Sequence, residues 1–293
     1  KRPFFYPSKN LHKKYYTTKD SDYNLRAMIK KLTTRDLARR ATVAITMTLR
    51  GSPHLIGTGL LMDINDHSFV VTAAHVVKGS QKYEGEFGFV DMNGNFVALD
   101  DDWKCSPLRN YGTACDPIDV AVHQIDPYRR DQLNHAMFLN LEDMDLTPCT
   151  SVQTFYLYGF PFSLMERDET KAGKLLLRPL TISFSVYSGS TYLIGDYEEQ
   201  LHLLLDARQL DVQDTIVEGS DLEFKRTIFC SLLSTIEGIS GSGVWSEDVE
   251  KGEKIVALQT GVYHRQHIIK ATRWIMVMRL LYDFFPDIES VAQ

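Results

Sequence analysis

The chain has 293 residues with a formal charge of −6 at pH 7, and 44% of its residues are hydrophobic. The negative charge argues against a nucleic-acid-binding protein, because neutralising phosphates requires a basic surface. No apolar run approaches the roughly 20 residues that span a bilayer, and the first residues lack the apolar core of a signal peptide. We therefore expect a soluble, cytoplasmic protein without nucleic-acid or membrane partners, and the length favours two compact halves.

Short apolar segments separated by turns predict a mainly β protein. In chain order, a helix is expected at 22–40, followed by strands at 41–49, 55–64 and 69–72. Asn93-Gly94 predicts a hairpin, because both residues tolerate positive φ.

Further apolar segments predict a second β unit after a strand at 120–125 ends the first one. Its strands are expected at 155–161, 175–186, 201–205, 227–233 and 255–262. Near the end of the chain, helical spacing of apolar residues predicts a helix packed on this second unit. These residues are Trp274, Val277, Met278, Leu281 and Phe285.

Three polar residues occur in contexts that suit catalysis. His75 follows an apolar strand, Asp119 directly precedes another, and Ser240 lies in the segment Gly238–Gly243 between apolar residues. A serine nucleophile requires an imidazole to accept its proton and a carboxylate to orient that imidazole. Each residue alone is more often structural, and a Gly-Ser segment alone is more often a turn. The three together, in this order, favour a catalytic function.

The glycines around Ser240 have a chemical role of their own. Negative charge that develops on a substrate carbonyl must meet preorganised N–H donors, and glycine leaves such donors unobstructed. The N–H groups of Gly238 and Ser240 are therefore the expected oxyanion hole. Ser242 is a second candidate nucleophile, but it would lack a glycine two residues before it.

With these motifs the chain resembles a trypsin-like (chymotrypsin-fold, PA clan) serine protease. The resemblance implies two antiparallel six-stranded β-barrels with the active site in their cleft. The separation of 121 residues between Asp119 and Ser240 exceeds that of compact relatives, so an elaborated loop system is expected at 187–227. The expected organisation is an N-terminal extension with a helix (1–40), a first barrel (41–126), a crossover (127–149), a second barrel (150–270) and a C-terminal helix with tail (271–293).

Ile239 departs from the digestive members of this family. Those enzymes carry a carboxylate directly before the nucleophile, and it pairs with a newly cleaved N-terminus. Isoleucine cannot form that ion pair, so activation by N-terminal insertion is not expected. The resemblance is thus closest to bacterial and HtrA-like peptidase domains that are not made as zymogens.

The resemblance also places a pocket for the substrate residue before the scissile bond. Its base falls at Ser234, and one wall falls at Gln259-Thr260-Gly261. Ser234 supplies no charge, which argues against a preference for Lys or Arg. His264, Arg265 and His267 lie nearby and would suit an acidic residue, so the preference stays open.

The cysteines and histidines indicate no cofactor and no metal. Cys105, Cys115, Cys149 and Cys230 lack zinc-site spacing, and His264 with His267 is only a weak metal candidate. Val76 directly follows His75, where secreted relatives commonly have a cysteine, so reduced cysteines are expected, and a Cys105–Cys115 bridge stays open.

The functional prediction is a regulated intracellular serine endopeptidase with His75, Asp119 and Ser240 as its triad and Asp116 as the fallback carboxylate. Its expected partner is a protein or peptide substrate, and a regulatory protein or a fused sensor module is a further possibility. The alternative is a latent or non-catalytic recognition or scaffold module with the same fold. An α/β-hydrolase esterase is disfavoured, because that fold runs Ser, Asp, His along the chain.

Overall fold

The structure is a computed structural model. It describes residues 36–91, 94, 96–107, 109–110, 114–133, 136–147, 154–167, 175–192, 194–208, 215–217, 236–248 and 252–291. Residues 36–293 belong to one compact unit. Residues 1–35 of the predicted N-terminal extension, with the part of its predicted helix before position 36, lie outside the described residues. The predicted strand at 227–233 and the pocket residue Ser234 lie outside them as well.

The first half begins with helix α1 (Asp36–Ala41) and is then built from antiparallel strands. Within the described residues, seven strands join in the order β5-β4-β1-β2-β3-β9-β6. The sheet strands are β1 (Thr42–Leu49), β2 (Ser52–Ile64), β3 (His67–Ala73), β4 (Glu86–Val90), β5 (Phe96–Ala98), β6 (Lys104–Cys105) and β9 (Val120–Ile125). The remaining elements are α2 (Ala74–Ser80) after β3, the short pair β7 (Arg109–Asn110) and β8 (Ala114–Cys115), and α3 (Pro127–Asp131) after β9.

The second half is a closed barrel. Its strands run in the order β10-β16-β17-β18-β14-β13, and β13 pairs again with β10, while β15 adds to β13 outside this circle. The strands of the barrel sheet are β10 (Thr154–Gly159), β13 (Leu180–Val186), β14 (His202–Asp206), β15 (Thr215–Val217), β16 (Gly243–Asp248), β17 (Gly252–Tyr263) and β18 (Ile268–Arg273). A separate hairpin joins β11 (Met165–Arg167) to β12 (Leu175–Leu177), and 3₁₀ turns occupy Leu141–Asp143, Phe162–Leu164 and Pro286–Val291.

The predicted mainly β fold with two antiparallel units is confirmed. The second unit is the expected six-stranded barrel, whereas the first is a seven-stranded sheet whose end strands β5 and β6 do not pair with each other in the described part of the chain. Strands β4 and β5 pair with each other as the predicted hairpin requires, and Gly94 between them has a φ of +79°. Asn93 lies outside the described residues.

Helix α4 (Trp274–Phe284) follows β18 directly and carries the predicted apolar stripe. Trp274, Val277 and Leu281 are fully buried in one cluster with residues of both β units. The ring of Phe285, just beyond the helix, lies 5.1 Å from that of Phe69 in the first sheet. The helix therefore packs across both units rather than on the second alone. Within the described residues, no helix is both long and apolar enough to span a membrane.

Two side chains of the second barrel hold the turn before β9 in the first sheet. His202 is fully buried on β14, and its Nε2–H donates to the Pro117 carbonyl at 2.5 Å. Its Nδ1 accepts from the N–H of Glu198 at 2.9 Å, so the ring is neutral. Thr272 Oγ1 on β18 donates to the next carbonyl, that of Ile118, at 2.6 Å. The turn that precedes β9 is thus fixed from the opposite barrel.

The buried environment of His202 predicts a loss of stability in mild acid. Burial lowers the pKa of this imidazole from its usual value of 6.5, and the positive charge of Lys270 acts in the same direction. Its hydrogen bond to Pro117 and the charges of Asp196 and Glu198 oppose the shift. The contribution of neutral His202 to the free energy of unfolding is complete above pH 6.5 and is lost as the pH falls below that value. The reason is that His202 then binds a proton in the unfolded chain but not in the native protein.

The prediction is tested with His202→Gln, whose amide can still donate to the Pro117 carbonyl. Urea unfolding is measured at pH 7.5 and pH 5.5 for both proteins. The free energy of unfolding of the wild type should fall further than that of the variant, by up to about 1.4 kcal/mol for this single group. Equal falls would show that His202 is not held neutral in the native protein.

Candidate active site

His75 and Asp119 form a hydrogen-bonded pair in the first β unit. His75 is the second residue of α2, and its Nδ1 lies 2.6 Å from Asp119 Oδ2. The N–H of His75 donates to Asp119 Oδ1 at 2.8 Å, and the N–H of Ala74 donates to the Asp119 carbonyl at 3.0 Å. A carboxylate bound at Nδ1 leaves Nε2 as the nitrogen that can exchange a proton with a nucleophile.

Asp116 lies next to this pair but has a different set of partners. Its carboxylate accepts from Lys78 Nζ at 3.1 Å and from Ser106 Oγ at 2.6 Å. It also accepts from the N–H groups of Ile118 and Asp119. The carboxylate that contacts His75 is therefore that of Asp119, and Asp116, the fallback candidate, supports the turn.

Ser240 lies in a tight loop between Ile236 and strand β16. The loop turns through two glycines with positive φ, Gly238 at +97° and Gly241 at +89°. A Cβ on Gly241 would overlap the Thr58 carbonyl and Thr72 Oγ1, so this loop approaches the first sheet too closely for any side chain there. Ser240 itself is half-buried and its carbonyl accepts from the Thr58 N–H at 2.9 Å.

The peptide that carries the Gly238 N–H has a fixed orientation. The Glu237 carbonyl accepts from the Phe162 N–H at 2.7 Å. Since the peptide is trans, the Gly238 N–H points in the opposite direction, away from Phe162 N–H. In the described part of the chain, the N–H groups of Gly238 and Ser240 donate to no backbone carbonyl. Both predicted oxyanion donors are therefore available to a ligand.

Ser242, the alternative nucleophile, is fully buried, and its Oγ has no hydrogen-bond partner among the described residues. A Cβ added to Gly159 on β10 would overlap this hydroxyl. Ser242 therefore fills space beside Gly159 and is shielded from substrate. Of the two candidate serines, Ser240 is the one that lines a cavity with His75.

A cavity of about 330 Å³ contains the candidate nucleophile, the histidine and one predicted oxyanion donor. It is lined by Ile56, His75, Phe162, Ile236, Glu237, Gly238, Ser240, Thr260, Gly261, Val262 and His264. No hydrogen bond joins Ser240 Oγ to the His75 ring among the described residues. Such contacts are often long without substrate and tighten when it binds.

Two of the three residues predicted to form a pocket wall line this cavity. Thr260 and Gly261 line it, but Gln259 does not. Gln259 is 1% exposed, and its N–H donates to the Ser242 carbonyl while its own carbonyl accepts from the Gly241 N–H. Gln259 thus braces the nucleophile loop from the inside of the barrel. Ser234, the predicted pocket base, lies outside the described residues.

Several lining residues were not found from the sequence. Glu237 directly precedes Gly238, so its adjacency to the loop was an available signal. Phe162 and Ile56 reach the cavity from distant segments and had no such signal. His264 was considered for the preference for an acidic residue, and it does line the cavity.

Cys105 is a free thiol, so the possible Cys105–Cys115 bridge is not formed. Burial raises the pKa of this thiol, which keeps it protonated near neutral pH. Among the residues that the structure describes, no group of three or more His, Cys, Asp or Glu side chains is placed to hold a metal ion.

The comparisons with known proteins give similarities of fold. No protein-family model matches the chain, and no curated protein matches it. Among solved structures, the protease Anisep from Arthrobacter nicotinovorans covers 84% of this chain and 95% of its own, with a TM-score of 0.48 and 12% identity. The serine endoprotease from Yersinia pestis covers 87% of this chain and 66% of its own, with a TM-score of 0.47 and 12% identity. A Glu endopeptidase covers 82% of this chain and 87% of its own, with a TM-score of 0.46 and 17% identity.

All three of these structures are named as proteases, and this chain is similar to them at 12–17% identity.

The packing of Ser242 against Gly159 gives a prediction for stability. Gly159→Ala should destabilise the fold by roughly 1–3 kcal/mol, because the added methyl overlaps Ser242 Oγ in a filled interior. Ser242→Ala in the same chain should restore much of that loss by removing the hydroxyl. Urea unfolding of the wild type, both single variants and the double variant measures the coupling between the two sites. Additive effects of the two changes would contradict the contact.

Proposed function

We propose that this protein is a serine endopeptidase with His75, Asp119 and Ser240 as its catalytic triad. One observation carries the proposal: the His75 ring, held by Asp119 at 2.6 Å, faces the same cavity as Ser240 and the oxyanion donor Gly238. These are the groups that acyl transfer from a peptide bond requires, and they come from both β units.

In this mechanism Ser240 Oγ attacks the substrate carbonyl and His75 Nε2 takes its proton. The Asp119 carboxylate holds the Nδ1–H tautomer and stabilises the imidazolium that forms. The N–H groups of Gly238 and Ser240 bind the oxyanion of the tetrahedral intermediate. His75 then protonates the leaving amine, and an acyl group remains on Ser240. A water molecule, deprotonated by His75, hydrolyses this ester and returns the serine.

The orientation of the loop before Ser240 supports an active enzyme over a latent module. A latent state would require the Glu237 carbonyl to turn towards the oxyanion site. Here that carbonyl is bound by the Phe162 N–H at 2.7 Å, and a Cβ on Gly238 would overlap the Phe162 ring. Turning the peptide would break this hydrogen bond in a crowded place.

The substrate is proposed to be a protein or peptide in extended conformation. Gly261 lies on β17 at the edge of the cavity, where its backbone can pair with such a chain. A cytoplasmic location, a regulated activity, and a regulatory protein or fused sensor module as a further partner complete the proposal. They rest on the sequence features described above.

Labelling with a fluorophosphonate tests the nucleophile. The wild type should be labelled at one site per chain, and Ser240→Ala should abolish labelling because the attacking hydroxyl is gone. Ser242→Ala is the matched control, since it removes a buried hydroxyl two residues away. It should retain labelling close to that of the wild type. Intact-protein mass spectrometry gives the stoichiometry.

Cleavage of a denatured proteome digest, compared between the wild type and Ser240→Ala, then tests the reaction itself. Cleavage that occurs only with the wild type supports an endopeptidase and reveals the preferred residue before the scissile bond. The absence of both labelling and cleavage would contradict the proposal. That result would favour the non-catalytic recognition module instead.

A further inference from the structure

One buried carboxylate outside the triad has all its acceptor positions in use. The Asp116 side chain is 8% exposed. Its Oδ1 accepts from the N–H groups of Ile118 at 3.2 Å and Asp119 at 3.0 Å. Its Oδ2 accepts from Lys78 Nζ at 3.1 Å and Ser106 Oγ at 2.6 Å. Four donors converge on two oxygens, which is about the full capacity of a carboxylate.

Three of these donors, all except Ser106 Oγ, come from the two elements that carry His75 and Asp119. Lys78 lies on α2 three residues after His75, so its ammonium and the imidazole belong to one rigid turn of helix. Asp119 and Ile118 lie on the turn before β9. A single carboxylate therefore ties the helix of the general base to the backbone of the residue that orients it.

The backbone of Asp119 has a specific need for this support. Its φ is +52°, a left-handed conformation that is disfavoured for a residue with a Cβ. This conformation aims the Asp119 side chain at His75 while its carbonyl accepts from Ala74. Asp116 Oδ1 accepts from the N–H groups two and three residues later, and the first of these bonds closes an Asx-turn.

Ser106 extends the same network to the next strand. Its Oγ accepts from the Val120 N–H at 2.9 Å while donating to Asp116, and its own N–H donates to the Val120 carbonyl at 2.8 Å. Lys78 Nζ also donates to the Ser106 carbonyl at 3.3 Å. The residues on either side of Asp119 are thus held by groups that Asp116 connects.

We propose that Asp116 is a positioning residue that fixes the Asp119 carboxylate against His75 by joining the Asp119 turn to helix α2. The role rests on the proposed function, because it acts through the triad. It differs from the triad role of Asp119 in that Asp116 makes no contact with the imidazole or the substrate.

Asp116→Asn is the informative substitution. When the amide oxygen of the new side chain faces the N–H groups of Ile118 and Asp119, its NH₂ group faces the Lys78 ammonium. Both of these groups are donors, so no hydrogen bond can form between them. With the amide reversed, the NH₂ group faces the two backbone N–H groups instead. Either orientation breaks one side of the connection with little change in volume. A misplaced catalytic group typically costs about 10²-fold in rate.

We expect Asp116→Asn to lower kcat per labelled active site by roughly tenfold to a hundredfold with KM nearly unchanged. The matched control is Asp100→Asn, which removes the carboxylate of a second Asp–His pair in the first unit, bonded to His123 Nε2 at 2.7 Å. This control should keep wild-type kcat. Lys78→Met removes the bonds from Lys78 Nζ to Asp116 and to the Ser106 carbonyl. It should lower kcat in the same direction and serves if Asp116→Asn does not fold. A kcat within twofold of the wild type in these variants overturns the proposal.

A second readout separates this proposal from the proposed function. The ¹⁵N shifts of the His75 ring report whether Nδ1 carries the proton, and they require no turnover. Asp116→Asn should increase exchange between tautomers at His75, and Asp119→Asn should increase it more strongly. If the wild type shows no Ser240-dependent cleavage, the proposed function fails. The ¹⁵N shifts alone then test whether Asp116 positions Asp119 against His75. A His75 spectrum identical to the wild type then overturns its positioning role.

Discussion

The proposed active site depends on the contact between the Ser240 loop of the second barrel and one residue of the first sheet, Thr58. Thr58 on β2 is fully buried, and its N–H donates to the Ser240 carbonyl at 2.9 Å. Its hydroxyl donates to the Gly238 carbonyl at 3.2 Å and accepts from the Phe160 N–H at 3.0 Å. Its carbonyl accepts from Thr72 Oγ1 at 2.7 Å, in the segment that leads to His75. One threonine thereby sets where the serine lies relative to the histidine.

The reverse connection is made at the turn that carries Asp119. His202 and Thr272 of the second barrel bind the carbonyls of Pro117 and Ile118, while Asp116 binds the amides that follow. Each β unit thus holds the segment of the other that carries a proposed catalytic residue. Buried hydrogen bonds of this kind are costly to leave unpaired, so the two units are expected to keep a single relative position at the site.

The sequence was sufficient for the parts of the site that depend on local patterns. The strand contexts of His75 and Asp119, and the glycines around Ser240, follow from spacing and backbone requirements. The sequence did not reveal that Gln259 points inward or that Phe162 orients the peptide before Gly238. Those contacts join residues far apart in the chain, and no local pattern encodes them. The closure of the second barrel through β10 and β13 likewise depends on tertiary pairing.

The most direct measurement is a crystal structure of the protein after reaction with diisopropyl fluorophosphate. We predict a covalent bond from phosphorus to Ser240 Oγ, with a phosphoryl oxygen within hydrogen-bond distance of the N–H groups of Gly238 and Ser240 and with His75 still bound to Asp119. An unmodified Ser240, or a phosphoryl oxygen that contacts neither N–H group, would contradict the assignment of this cavity as a serine protease active site.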